Sequence, residues 1–123
     1  MKLDHIQLAM PPGEEAKAAA FFRGLLGMQE VDKPEPLRER GGCWFVFDNT
    51  HLHIGVEPAF VPQRKAHPAF VISGLDELSE RLQQAGHPIK WDTAMPDRKR
   101  FYTNDPFGNR IEFMQAGDGF TEK

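Results

Sequence analysis

The sequence predicts an α+β fold of two βαβββ modules, and three observations carry that expectation. Short runs in which apolar and polar residues alternate stand beside two longer segments with helical spacing. The order strand, helix, strand, hairpin is traversed twice, so the chain reads as an internal repeat. The two passes also match in detail: "DHIQLAM" pairs with "AHPAFVI", and "FVFDNTHLHIGVE" with "FYTNDPFGNRIEFMQ". All of 1–123 is expected to form one domain, with module 1 over 2–57, module 2 over 65–115 and a linker over 58–64 that contains two prolines. If the two sheets join, they make one curved mixed sheet with the helices outside.

"LDHIQLAM" alternates and reads as the first strand. "GEEAKAAAFFRGLLG" reads as a helix: Pro12 and Gly13 precede it, Glu14 and Glu15 suit the positive end of its dipole, and Gly27 can close it in the left-handed conformation. A short edge strand near Met28 to Val31 adjoins the polar, Pro- and Gly-rich connection "KPEPLRERGG". "CWFVFDNTHLHIGVE" is a hairpin around Asp48 and Asn49.

In the second pass "HPAFVISG" is a strand, and "LDELSERLQQAG" is a helix that puts Leu75, Leu78, Leu82 and Ala85 on one face and stops at Gly86. "HPIKWD" is a short strand candidate. "KRFYTNDPFGNRIEFMQ" is the closing hairpin around Asp105 to Asn109, and the tail "AGDGFTEK" is expected to be loose.

Composition narrows the function. The 40% hydrophobic content and ten Phe are enough for a real core. There is no long apolar run and no signal-peptide pattern at the start, so no membrane association and a cytoplasmic location are the expectation. A single cysteine, Cys43, excludes an intrachain disulfide and reads as a small buried hydrophobe beside Trp44 and Phe45. With a net charge of −3 and basic residues scattered except for Arg98, Lys99 and Arg100, nucleic acid is not an expected partner.

Strand parity then selects residues. Superposing the halves sets His5 against His67 and His53 against Glu112. Alternation puts His5 opposite Ile6, Leu8 and Met10. It puts His53 opposite Leu52, Ile54 and Val56, His67 opposite Phe70 and Ile72, and Glu112 opposite Ile111 and Phe113. All four thus avoid the face that would pack on the helices. Singly, each has an ordinary explanation as a hydrogen-bonded structural group or a solvent-facing acid; jointly, imidazoles and a carboxylate at repeat-equivalent positions point to a metal site.

With "LDHIQLAM", "AAFFRGLLGMQEV", "HPAFVISGLDELSERLQQAG" and "FYTNDPFGNRIEF", the chain resembles the vicinal oxygen chelate superfamily from Lys2 to Gln115. That superfamily includes glyoxalase I, extradiol dioxygenases, fosfomycin-resistance thiol transferases and bleomycin-binding proteins. The resemblance implies a cup of paired βαβββ modules around one divalent metal, with ligands from the first and last strands of each module: here His5, His53, His67 and Glu112. Imidazole with carboxylate favours Zn, Ni, Fe, Co or Mn. The resemblance also implies a small-molecule substrate and a homodimer.

Among subfamilies, a glyoxalase-like lyase or isomerase would use the metal to hold two adjacent substrate oxygens while Glu112 moves a proton. His53 stands where glyoxalase I has an acid, and His51 shares its face. A fosfomycin-type thiol transferase matches the chain length and the His5, His67, Glu112 spacing, whereas an extradiol dioxygenase would be longer. The nonenzymatic alternatives are a metal-free bleomycin-resistance-type binding protein and a closed four-ligand metal-binding protein. Gln7 beside His5, Trp44, Arg100 and Arg110 are candidate substrate contacts; Arg110 could instead pair with Glu112. Arg98, Lys99 and Arg100 could clamp an anion.

Overall fold

The computed structural model describes residues 1–117, in two compact units: Met1–Pro62 and a second beginning at Gln63. The closing tail "AGDGFTEK" lies largely outside the described residues.

Unit 1 holds β1 (Ile6–Met10), β2 (Gln29–Val31), β3 (Cys43–Phe47) and β4 (Thr50–Val56) in the sheet order β1-β4-β3-β2. Unit 2 holds β5 (Ala69–Ile72), β6 (Lys90–Trp91), β7 (Arg100–Asn104) and β8 (Arg110–Gln115) in the order β5-β8-β7-β6. In each unit the first strand pairs in parallel with the last, and the other pairs are antiparallel. A parallel pair needs a crossover, which is why each module places a helix directly after its first strand. The two βαβββ modules read from the sequence are therefore present, each as its own four-stranded mixed sheet.

The expected first helix takes two forms. Residues Glu15–Ala19 are α-helical (α1), and Ala20–Leu25 continue as a π-helix, with Leu26 N–H donating to the Phe21 carbonyl at 3.0 Å. Phe21 and Phe22, both buried, lie within this wider turn. Gly27, at φ 76°, ends the segment as expected.

The connection after β2 contains a single helical turn, α2 (Glu35–Arg38), that its polar composition did not announce. Pro34 and Pro36 sit at its start, where missing N–H groups cost nothing. The connection closes on Gly42, whose φ of 84° and close approach to β4 both demand glycine: a Cβ there would lie 2.2 Å from the Ile54 carbonyl oxygen. Glu15 of α1 accepts the Gly42 N–H at 2.9 Å, and the Lys33 ammonium donates to the Gly41 carbonyl.

In unit 2, α3 (Leu75–Gln84) buries Leu75, Leu78 and Leu82. Ala85, expected on the same face, is exposed because the chain leaves helical geometry there and turns at Gly86; Ser79 is buried instead, donating its hydroxyl to the Asp76 carbonyl at 2.7 Å. The orphan Leu75 N–H at the start of α3 is accepted by the Gln115 side chain at 3.0 Å. The hairpin turn is held by Asp105, whose carboxylate accepts N–H groups of Phe107 and Asn109 and the Asn109 side-chain amide.

β1 begins at Ile6 and β5 at Ala69, later than the alternation suggested, so His5 and His67 stand on the segments entering the strands. Both strands are at sheet edges, and an edge tolerates Pro68, whose carbonyl still accepts the Glu112 N–H at 3.0 Å. Among the described residues no helix is long and apolar enough to cross a membrane.

Candidate functional site

Pairing of β7 with β8 sets Tyr102 against Glu112 and Asn104 against Arg110, which brings Arg100, Tyr102, Arg110 and Glu112 to one face of the unit 2 sheet. Glu112 is only 5% exposed, so it is not the solvent-facing acid of a half-exposed strand. Its two oxygens have different partners: Oε1 lies 2.9 Å from His67 Nε2, and Oε2 accepts from Arg100 Nη1 at 3.1 Å. Arg100 in turn donates through Nη2 to Asp92 at 3.0 Å. The buried carboxylate thus has the Arg100 guanidinium as charge partner on one oxygen and the His67 imidazole against the other.

The His67 ring is oriented by its other nitrogen. Nδ1 lies 2.8 Å from the Lys65 carbonyl, which can only accept, so Nδ1 carries the proton. In the neutral ring Nε2 then presents a lone pair to Glu112 Oε1, an arrangement that calls for a metal cation or a proton between the two atoms. The donor chemistry therefore fits a divalent metal at His67 and Glu112. Tyr102 meets the His67 ring edge-on at 5.4 Å.

Arg110 does not pair with Glu112. Its guanidinium lies 4.0 Å over the Tyr102 ring and donates to the Arg64 carbonyl at 3.3 Å, while Arg100 from β7 takes the carboxylate. Two members of the basic cluster likewise have internal partners: Arg100 as above, and Lys99 with Asp76 at 2.7 Å. The physical reason is local supply of acids; both cations meet a carboxylate of the same unit before any solute.

In unit 1, His53 is sandwiched between two rings: Trp44 at 3.8 Å and 2°, and His5 at 4.1 Å and 19°. Burial, then the neighbouring His5 charge, pushes the His53 pKa down and favours its neutral, ligating form. The His5 Nδ1–H donates to Asp4 at 2.8 Å, which holds the Asp4 carboxyl below its ordinary range and leaves His5 Nε2 free to ligate. Gln7 lies opposite His53 in the β1–β4 register, and its amide fills the space above Gly55, where a Cβ would stand 2.5 Å from Gln7 Nε2. A groove of about 660 Å³ opens here, with His5, His51, His53, Gln7 and Trp44 in its wall.

The sequence-selected residues thus form two pairs, His5 with His53 and His67 with Glu112, each within one unit. Among the described residues no three His, Cys, Asp or Glu side chains gather as a metal-holding group. Cys43 is buried and its thiol pKa is pushed up to about 12 by burial, so it stays protonated at neutral pH. Three participants were not singled out from the sequence. Asp92 was detectable as the one acid of "HPIKWD", opposite the start of β7; Lys33 and Arg40, in the groove wall, lie in an aperiodic connection that carries no such signal.

Comparison with known proteins places these features in a family. The model of the Glyoxalase/Bleomycin resistance protein/Dioxygenase superfamily matches residues 2–113. A Bacillus anthracis protein described as of the glyoxalase family is 49% identical over 95% of this chain and 96% of its own, with a TM-score of 0.90. A glyoxalase/dioxygenase from Nostoc punctiforme shares the fold at 23% identity and a TM-score of 0.77, over 95% of this chain and 92% of its own. So does a mutant of the Listeria monocytogenes fosfomycin resistance protein FosX, complexed with Mn(II) and 1S,2S-dihydroxypropylphosphonic acid, at 20% identity and a TM-score of 0.78, covering 94% of this chain and 92% of that one. No curated protein matches the sequence. The chain belongs to the Glyoxalase/Bleomycin resistance protein/Dioxygenase superfamily.

Proposed function

We propose that the protein is a metal-dependent enzyme of the glyoxalase-like lyase or isomerase type, acting on a small oxygenated molecule. The proposed ligands are two pairs, His5 with His53 in unit 1 and His67 with Glu112 in unit 2, and the single observation that carries the reading is the opposition of His67 Nε2 and Glu112 Oε1 at 2.9 Å. A bound divalent transition metal would supply Lewis acidity to adjacent substrate oxygens.

The chain's own residues provide the rest. Lys65 fixes the His67 tautomer, and Arg100 holds Glu112 by Oε2, leaving Oε1 as the oxygen for ligation or proton transfer. Asp92 offsets the Arg100 charge, and Trp44 and Gln7 flank the unit 1 pair. Tyr102, clasped by Arg110, walls the unit 2 pair.

Elemental analysis of untagged protein tests the reading. About one Zn, Ni, Fe, Co or Mn per chain is expected in the parent, and little in a His67→Ala, Glu112→Ala double variant. Turnover of hemithioacetals, catechols and fosfomycin is then screened under that metal; Mn is included because the FosX mutant complex holds Mn(II). A parent that takes up none of these metals sinks the enzyme reading and favours a ligand-sequestering protein of the bleomycin-resistance type.

A further inference from the structure

The wall of the unit 1 groove carries two cationic side chains, Lys33 and Arg40, against one acid, Asp4, in a chain whose net charge is −3. Asp4 is already occupied as the acceptor of the His5 ring N–H. Lys33 is not neutralised by a carboxylate either: its ammonium donates to the Gly41 carbonyl, which fixes its position without removing its charge. Arg40 is exposed, at the end of the α2 connection, with its N–H bonded to the Leu37 carbonyl at 3.2 Å and no side-chain partner among the described residues.

The segment that presents these cations is fixed at several points. Arg38 Nε donates to the Lys33 carbonyl at 3.0 Å, Glu15 accepts the Gly42 N–H, and Gly42 is in contact with the β4 backbone. The two charges are therefore presented by a built loop whose ordering cost is met on folding. The groove also offers apolar surface from Leu37, Ile54 and Trp44. A fixed ammonium, a planar guanidinium fork and an apolar floor are the chemistry that recognises a carboxylate on an organic body.

We propose that this groove binds the carboxylate of an organic anion through Lys33 and Arg40, which makes the substrate an oxygenated carboxylic acid. The inference rests on the enzyme reading above for the word substrate; the binding itself stands on the groove alone.

The probe is benzoate, with benzamide as its neutral isostere. Intrinsic fluorescence is read in a Trp91→Phe background that leaves Trp44 as the sole tryptophan. Benzoate is expected to perturb Trp44 saturably and benzamide much more weakly. Arg40→Ala should weaken benzoate about tenfold, the loss of one charge-assisted contact, and leave benzamide unchanged. Arg40→Lys should recover part of the loss, and Lys33→Met should reproduce it.

Equal binding of benzoate and benzamide, no effect of Arg40→Ala, or no response up to the solubility of benzoate would each overturn the proposal. Metal content measured on the same samples separates the two readings. Benzoate selectivity in a parent that holds no metal leaves the anion groove standing and removes the enzyme. A metal-loaded parent indifferent to benzoate removes the groove alone.

Discussion

His67 and Glu112, 45 residues apart, oppose each other across 2.9 Å while His67 Nδ1 is committed to the Lys65 carbonyl. The carboxylate is thereby held between two basic groups, His67 on Oε1 and Arg100 on Oε2.

The first prediction concerns that clamp. Among the described residues, Glu112→Ala leaves the Arg100 side chain, 14% exposed, with Asp92 as its remaining acid and with an Nε that already lacks a partner. Breaking a buried pair from one side costs about 3–5 kcal/mol, whereas removing both partners costs far less. Urea melts of Glu112→Ala, Arg100→Met and the double variant should therefore give a coupling energy of at least about 1 kcal/mol. Additive losses would show the ion pair to be energetically idle.

What the sequence made legible follows from where information is periodic. The repeat, the hairpins and the parity of Glu112 were readable because strand alternation and turn chemistry are local, and the buried Leu52 and Ile54 opposite His53 follow the same rule. The partner of Glu112 was not. Arg110 shares its strand face, two residues away, and looked available; Arg100 is twelve residues away, and only the β7–β8 register sets it beside the carboxylate. The Trp44–His53–His5 stack was equally hidden, since it arises from three separate segments. The π-helical turn over Ala20–Leu25 was not legible either, because the burial of Phe21 and Phe22 there is equally compatible with an ordinary α-helical stripe.

Two glycines should lose unequal amounts of stability on the same substitution. Gly42→Ala places a methyl 2.2 Å from the backbone oxygen of Ile54 at φ 84°, and neither the carbonyl nor the dihedral can yield cheaply. A loss of about 2 kcal/mol or more is expected. At Gly55 the obstruction is the far end of the Gln7 side chain, which can swing away into the groove. Gly55→Ala should then cost less than about 1 kcal/mol while displacing the Gln7 amide. Paired thermal melts check both; equal losses would refute the distinction between backbone and side-chain obstruction.

Gln115 acts as a cap supplied from another element. Its Oε1 accepts the first N–H of α3, where Gly74 offers no side chain to do so. Gln115→Ala should cost about 1 kcal/mol, the usual worth of a capping bond. Hydrogen exchange at Leu75 should accelerate while the β7–β8 amides keep their protection. Unchanged exchange at Leu75 would mean that water replaces the cap without loss.

The last prediction is a pH dependence at Cys43. Burial first, then the charges of Glu30 and Glu15, pushes its thiol from 9.0 up to about 12. Because the folded pKa exceeds the unfolded one, the thiol's contribution is complete below pH 9.0 and is lost as pH rises toward 12. At pH 11 the loss should approach about 3 kcal/mol, at 1.36 kcal/mol per pKa unit. Lysine and tyrosine titrations contribute in the same range, so the comparison is with Cys43→Ala, whose stability should fall less steeply between pH 9 and 11. Native protein should also resist iodoacetamide at pH 8 and react once unfolded, since only the thiolate is alkylated. Parallel alkaline slopes in parent and variant, or rapid native alkylation, would show that the thiol ionises near its ordinary value.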